Sequence, residues 1–403
     1  MGLNDTPSGE RVHVAFFGVR NAGKSSLVNA VTGQDLAVVS DVKGTTTDPV
    51  RKAMELLPLG PVVVIDTPGL DDDDERLGEE RVRRAKRVLA ETDVAVLAVD
   101  SSVGMGSFEK GLIEAFAERG VPYVVAFTKC DLPGERRLES PEGAKTVMVS
   151  SVTGDGVFEL KETIASIAKH RGSERRLVGD LIGRGDTAVL VVPIDAAAPK
   201  GRIILPQQQV LRDVLDSRAS ALVVQVEELA GALSMLGKRP RLVITDSQAF
   251  AQVSQIVSAD VPLTSFSILF ARYKGDLDSL VDGARALSSL KDGDLVLVSE
   301  GCSHHRQCGD IGTEKIPRWV AAHSGARVEF SFTSGGEFPD VADLKRYALV
   351  IHCGGCMLNA REMESRIMRA RAAGVPIVNY GVAIAEMKGI LERSLAPLAK
   401  VPS

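Results

Sequence analysis

The chain has 403 residues, 44% hydrophobic and 25% charged, with 48 Lys plus Arg against 53 Asp plus Glu and a net charge of −5. That length predicts two to four domains, each able to bury a core without disulfide staples. The acidic balance excludes a role in coating nucleic acid, which needs a basic surface, and no apolar run approaches the ~18 residues of a membrane span.

The opening stretch, Met1 to Glu10, is short, polar and acid-containing, unlike a secretory signal or an Arg-rich transit peptide. With an odd count of five cysteines, it predicts a cytoplasmic protein in a reducing setting. Short apolar runs then alternate with helical patterns. Val12–Phe17, Val62–Asp66, Ala95–Asp100, Tyr123–Thr128 and Thr146–Ser150 read as buried strands. Lys24–Val31, Glu79–Glu91, Phe108–Arg119 and Val157–His170 read as helices between them. Such alternation, with strands rich in Val, Ile and Leu, predicts a parallel doubly wound sheet. The polar run His170–Arg176 reads as a linker.

A second block follows, with strands at Ala188–Pro193, Ala221–Val226 and Arg241–Thr245. Its helix at Gln208–Ala219 puts Val210, Leu211, Val214 and Leu215 on one face. It carries no chemical motif, which suits an interaction role. A third block has strands at Leu295–Ser299, Leu349–His352 and Pro376–Tyr380, and helices at Leu277–Leu290 and Asn359–Ala373. The fold class is α/β, an N-terminal P-loop domain followed by two smaller α/β domains, with boundaries at 1–172, 177–261 and 262–403. No internal repeat is visible.

Gly18-Val-Arg-Asn-Ala-Gly-Lys24-Ser25 fills the pattern G-x4-G-K-S, after a strand and before a helix. Backbone N–H groups of Gly18, Asn21, Ala22, Gly23, Ser25 and Ser26 would cradle phosphate oxygens at the helix N-terminus. Lys24 would reach the β- and γ-phosphates, and Ser25 would hold Mg²⁺. Asp66-Thr-Pro-Gly69 ends the next strand as a D-x-x-G turn. Gly44-Thr45-Thr46-Thr47-Asp48 lies between, where Thr46 would offer a second hydroxyl to the metal. Thr128-Lys129-Cys130-Asp131 ends a later strand, and Ser150-Ser151-Val-Thr-Gly154 the one after it. Asp131 can accept from guanine N1 and N2, with Lys129 over the ring. All five elements follow strands, at the carboxyl edge where such sheets bind ligands.

This set resembles the five sequence motifs of a GTPase, which implies GTP and Mg²⁺. Two departures stand out: Thr128 replaces the usual Asn of N-K-x-D, and Ser151 the usual Ala of S-A-x. Leu70 stands where a Ras-like protein carries its water-orienting Gln. With Asn21 in the loop and the Gly-Thr-Thr-x-Asp switch, the pattern resembles the tRNA-modifying and ribosome-assembly branch of GTPases. That resemblance implies K⁺, bound with help from Asn21, as an electrostatic substitute for an arginine finger.

Cysteine and histidine cluster late in the chain. Cys302-Ser-His304-His305 follows one predicted strand, and His352-Cys353-Gly-Gly-Cys356 another. If those strands are parallel neighbours, both groups meet at one sheet edge. The residues alone leave the metal open. Cys302, His304, Cys353 and Cys356 could close a zinc site, and three thiolates equally suit an iron–sulfur cluster. Cys308 reads as a neighbouring loop thiol and Cys130 as a buried one.

C-x-H, then 47 residues, then H-C-x-x-C behind a GTPase domain resembles the [FeFe]-hydrogenase maturation GTPase family. The order of blocks and the Asp310-Ile-Gly312 and Lys315-Ile-Pro317 context agree with it. The resemblance implies a [4Fe–4S] cluster on Cys302, Cys353 and Cys356, with His304 or His352 as fourth ligand or in support. It implies a homodimer built by the middle block. It also implies a scaffold that receives a di-iron precursor made with two radical-SAM maturases and passes it to apo-hydrogenase, with no membrane and no nucleic acid involved. Two other readings remain at this point: an RNA- or ribosome-associated GTPase with a structural zinc module, and a C-x-x-C redox enzyme with a regulatory GTPase.

Overall fold

A computed structural model describes residues 6, 8–35, 49–67, 85, 87–169, 176–193, 203–301, 310–355 and 357–399. The chain divides into two compact units, Met1–Glu174 and Arg175–Ser403. Among the described residues no helix is long and apolar enough to cross a membrane.

Among the described residues the first unit holds six strands: β1 (Val12–Phe17), β2 (Val50–Leu56), β3 (Gly60–Asp66), β4 (Val94–Asp100), β5 (Tyr123–Thr128) and β6 (Lys145–Met148). Their order is β2-β3-β1-β4-β5-β6, parallel throughout except for the β2–β3 hairpin. Alternation along each strand fills two cores. Val14 and Phe16 face Leu27, Val28 and Val31 of the helix Lys24–Thr32 and Leu160 and Ile164 of Val157–Lys169. Ala15 and Phe17 face Leu112 and Phe116 of Ser107–Glu118, with Val88 and Leu89. The sequence reading omitted β2. Its Val-Arg-Lys-Ala-Met-Glu-Leu run is mostly exposed, and its charges suit an edge strand that discourages further pairing.

The second unit holds two four-stranded parallel sheets. One contains β7 (Thr187–Val191), β8 (Ser220–Val224), β9 (Leu242–Thr245) and β10 (Leu263–Ser265) in the order β10-β9-β7-β8. The other contains β11 (Leu295–Glu300), β12 (Glu329–Ser334), β13 (Leu349–His352) and β14 (Ile377–Asn379) in the order β12-β11-β13-β14. Each sheet therefore places its second strand outside its first and its third and fourth on the other side. The repetition also reaches the helix caps: Ser265, the last residue of β10, accepts from the Ile268 N–H, and Asn379, the last of β14, from the Val382 N–H. No repeat was legible in the sequence, because strand order is set by packing and leaves no periodic residue pattern.

The boundary expected after residue 261 falls too early, since β10 pairs with β9 and completes the middle sheet. The next helix, Phe266–Lys274, joins both cores: Phe266, Leu269 and Phe270 pack with the middle sheet, Ile268 and Ala271 with the last. The chain later returns to the middle sheet. Thr264 Oγ1 donates to Ser394 O at 2.8 Å, and Arg393 donates to Ser254 O and Val257 O at 2.8 and 2.7 Å. The helix Leu205–Asp216 buries Val210 and Val214 as expected, but Leu215 faces solvent at 56% exposure.

Candidate functional site

The phosphate loop leaves β1 at Gly18, where a Cβ would lie 2.7 Å from the Ala98 carbonyl oxygen of β4. Only glycine lets the backbone pass there. Asn21 takes a left-handed φ of 60° and Gly23 one of 78°, and this winds the chain into the helix that begins at Lys24. Lys24 is buried at 5% exposure, and its Nζ bonds Asp66 Oδ1 at the end of β3. Ser25 Oγ lies 3.4 Å from Asp66 Oδ2. Ser25, Lys24 and Asp66, the residues expected at metal and phosphate, thus converge from two neighbouring strands. Asn21 is exposed beside them.

The base-binding side is assembled from the ends of β5 and β6. Thr128 is 1% exposed, and its Oγ1 donates to Ala22 O at 2.6 Å and to Val99 O at 3.2 Å. The hydroxyl takes over the loop-tying task that the missing Asn would perform. Lys129 has a left-handed φ of 57°, and its Nζ bonds Asp100 Oδ2 at 2.7 Å. Burial raises the Asp100 carboxyl, but hydrogen bonds from Lys129 and Ser102 outweigh it and hold the group below its ordinary value. Asp131 is exposed, open to a base. Cys130 is half-buried rather than buried, its thiol donating to Phe127 O at 3.1 Å. Its N–H contacts Val149 O at 3.4 Å, which joins the two base-binding loops. Ser150 is buried, and its Oγ accepts from the N–H groups of Val152 and Thr153 at 3.2 and 3.1 Å. Ser151 and Ser26 line one cleft with Asn29, Gly33 and Gln34. Gly44 to Asp48 with Thr46, and Gly69 and Leu70, lie outside the described residues.

In the second unit β11 and β13 are parallel neighbours, with Ser299 opposite His352. Both cysteine segments therefore leave one carboxyl edge of the sheet. Of the three expected cysteine ligands only Cys353 is described, as is His352, while Cys302 and Cys356, with His304 and Cys308, lie outside the described residues. Among the described residues no three His, Cys, Asp or Glu side chains gather into a metal site. Cys353 Sγ accepts from the Gly301 N–H at 3.0 Å and the Gly355 N–H at 3.4 Å.

Both ring nitrogens of His352 already have partners within the protein. Its ring is fully buried, with Nδ1 2.7 Å from Cys353 O and Nε2 2.8 Å from Arg366 Nη1. Arg366 has no acceptor atom, so it must donate to Nε2, and Nδ1 then carries the proton toward Cys353 O. Burial first, then the nearby Arg366 charge, lowers the imidazole to about 3, so the ring is neutral. Both nitrogens are engaged in holding the loop. Arg366 is itself 0% exposed, donating to Glu362 Oε1 at 2.8 Å and Gly335 O at 2.7 Å over the Phe338 ring.

Sequence reasoning missed two groups at this edge. Tyr380 Oη donates to Glu300 Oε1 at 3.3 Å, and burial, then the Glu300 charge, pushes its hydroxyl far up. A Cβ on Gly312 would come within 2.3 Å of that hydroxyl, which explains a glycine after Asp310. The other is Lys274, whose Nζ donates to Gly355 O at 3.1 Å and Leu358 O at 2.9 Å. It lies 81 and 84 residues from its partners, so no local motif could announce it.

Three family models match consecutive parts of the chain. Residues 13–129 match a 50S ribosome-binding GTPase domain, 177–275 the hydrogen maturase F dimerization domain, and 278–397 the hydrogen maturase F tetramerization domain. The tRNA modification GTPase MnmE of Chromobacterium violaceum is 36% identical over 166 residues, covering 41% of this chain and 36% of that protein. The same enzyme of Neisseria meningitidis serogroup B is 37% identical over 172 residues, covering 42% and 37%. The chain thus spans little more than a third of the length of these curated relatives. Among solved structures, the G domain of the T. maritima FeoB iron transporter is 28% identical, covering 40% of this chain and 99% of that one, with a TM-score of 0.30. These likenesses concern the nucleotide-binding unit. The two C-terminal models together span more than half of the chain. With a complete phosphate loop ahead of them, they place the chain in the hydrogen maturase F family.

Proposed function

We propose that the chain is a GTP-hydrolysing iron–sulfur scaffold that assembles the di-iron subcluster of [FeFe]-hydrogenase and delivers it to the apo-enzyme. The observation that carries this reading is the Gly301 N–H bonded to Cys353 Sγ at 3.0 Å. The backbone one residue before Cys302 touches the sulfur of Cys353, so the segments bearing two of three cysteines meet at one edge. The donor set fits a soft cluster: thiolates are its natural ligands, and N–H groups on sulfur tune it. When bound through Cys302, Cys353 and Cys356, a [4Fe–4S] cluster would supply one iron open to an incoming ligand. The protein's own groups do the rest. His352 and Arg366 hold the Cys353 carbonyl, and Gly301 and Gly355 steady the sulfur.

The same reading assigns three tasks along the chain: nucleotide hydrolysis to 1–172, dimerisation to the middle sheet, and cluster binding to the last. Self-association is supported by the dimerization and tetramerization models. In the first unit Lys24 and Ser25 handle phosphate and Mg²⁺, and Asn21 helps hold K⁺. Radical-SAM maturases supply the precursor and apo-hydrogenase accepts it.

Anaerobic purification and reconstitution with ferrous iron and sulfide test the reading. A brown protein with iron and sulfide is expected, lost in Cys302→Ala, Cys353→Ala and Cys356→Ala and kept in Cys308→Ala. A colourless protein holding zinc would overturn it.

A further inference from the structure

The helix Phe266–Lys274 begins at Ser265, the end of the middle sheet, and lies within the segment 177–275 matched by the dimerization model. Its last residue is the unusual one. Lys274 is only 3% exposed, and a buried ammonium is costly unless its protons find partners. It finds them in the loop that follows Cys353, donating to Gly355 O at 3.1 Å and Leu358 O at 2.9 Å. Its stem passes the Phe270 ring, with Nζ 5.8 Å from the centroid.

The loop it grips is packed at Gly355 and at Leu358. Gly355 has a φ of 61°, and a Cβ there would meet Met363 Sδ at 2.7 Å. Leu358 crowds Gly301, where a Cβ would lie 2.8 Å from Leu358 Cγ. The Leu358 N–H also bonds Gly355 O at 3.0 Å. Gly355 O is thus shared between the loop's own turn and an ammonium from another segment of chain. The two gripped carbonyls bracket residue 356 in sequence, one of the three cysteines of the proposed cluster.

We infer that Lys274 is the positioning residue of this cysteine loop and brings a positive charge onto the backbone that carries Cys353 and Cys356. The inference rests on the cluster reading above. It adds that the charge setting the cluster's potential comes from the self-association segment, through one helix buried between both sheets. A positive charge favours the more negative, reduced cluster, so removing it moves the potential down.

The test compares full-length wild type with Lys274→Gln, Lys274→Met and Lys274→Arg, reconstituted anaerobically with ferrous iron and sulfide. Iron and sulfide per chain, iron loss to a chelator, the reduction potential from spectroscopic titration, and apo-protein unfolding are measured together. Gln retains a donor but no charge, so it should bind iron yet show a more negative potential. Met removes both, and iron should leave about tenfold faster, in line with the loss of an outer partner at other metal sites. Arg keeps the charge and should keep the wild-type potential, which a merely structural role would not require. If Met does not fold, the Gln and Arg pair decides. Unchanged iron retention and potential in both Gln and Met would overturn the assignment, as would an Arg variant shifted as far as Gln. Wild type that takes up no iron, or Cys353→Ala that retains it, would instead overturn the cluster reading, and Lys274 with it.

Discussion

Thr128 Oγ1 donates to the Ala22 carbonyl at 2.6 Å, linking residues 106 positions apart and tying the base-binding loop to the phosphate loop. The bond is fully enclosed, with a second contact to Val99 O at 3.2 Å. Thr128→Val keeps the shape but leaves a buried carbonyl unpaired. Guanine-nucleotide affinity should fall roughly fivefold, the equivalent of about 1 kcal/mol for one net hydrogen bond. Titration calorimetry with GDP measures it, and Thr128→Ser should recover most of the loss. Equal affinity in the valine variant would show that the two loops are held together by other contacts.

Lys24 Nζ bonds Asp66 at the end of β3, and the proposed function gives this ammonium the phosphates to hold. Lys24→Ala should lower GTP turnover by about 100-fold or more, the scale of losing one preorganised charge stabiliser. Asn21→Ala should leave turnover in NaCl unchanged and abolish the extra rate in KCl. A wild-type protein equally fast in both salts would remove K⁺ from the reading.

Arg366 supports three acceptors from one buried guanidinium: His352 Nε2, Glu362 Oε1 and Gly335 O. Arg366→Met strands all three, and the apo second unit should lose about 3–5 kcal/mol against denaturant. Arg366→Lys should recover only part, since an ammonium cannot span the fork. The melt of the first unit, followed by its nucleotide dependence, should not move.

Acid should act on the first unit through Asp100. Its folded carboxyl titrates below the ordinary value of 3.8, so its stabilising contribution is complete above that value and is lost as pH falls through the folded one. Asp100→Asn should flatten the acid limb of the unfolding curve below about pH 4, as read by circular dichroism. An acid limb as steep as wild type's would place the acid sensitivity on other carboxylates.

The parts legible in the sequence were those with local signatures. β1, β4, β5 and β13 are near-continuous apolar runs and were recognisable as buried strands. β12 was not, because Glu329–Ser334 is half-exposed and polar at alternate positions. The helix Phe266–Lys274 escaped because it is apolar on both faces and so has no single stripe. At the nucleotide site the motif named Lys24, Ser25 and Asp66, while the work of Thr128 depended on a carbonyl far away in sequence. At the cysteine edge the histidine of H-C-x-x-C looked like a ligand. Only the buried Arg366 beside it showed that both its nitrogens were spent.

The bond from Thr264 to the Ser394 carbonyl has a consequence for how the protein is made. A ribosome releases the first unit well before the rest, and domains commonly fold in that order during synthesis. The middle sheet, though, cannot acquire its last partner until the chain around Ser394 has emerged, 130 residues after Thr264. Its neighbour with the cysteine edge is completed in the same interval. A nascent chain would therefore hold a finished nucleotide-binding unit while both later sheets are still open.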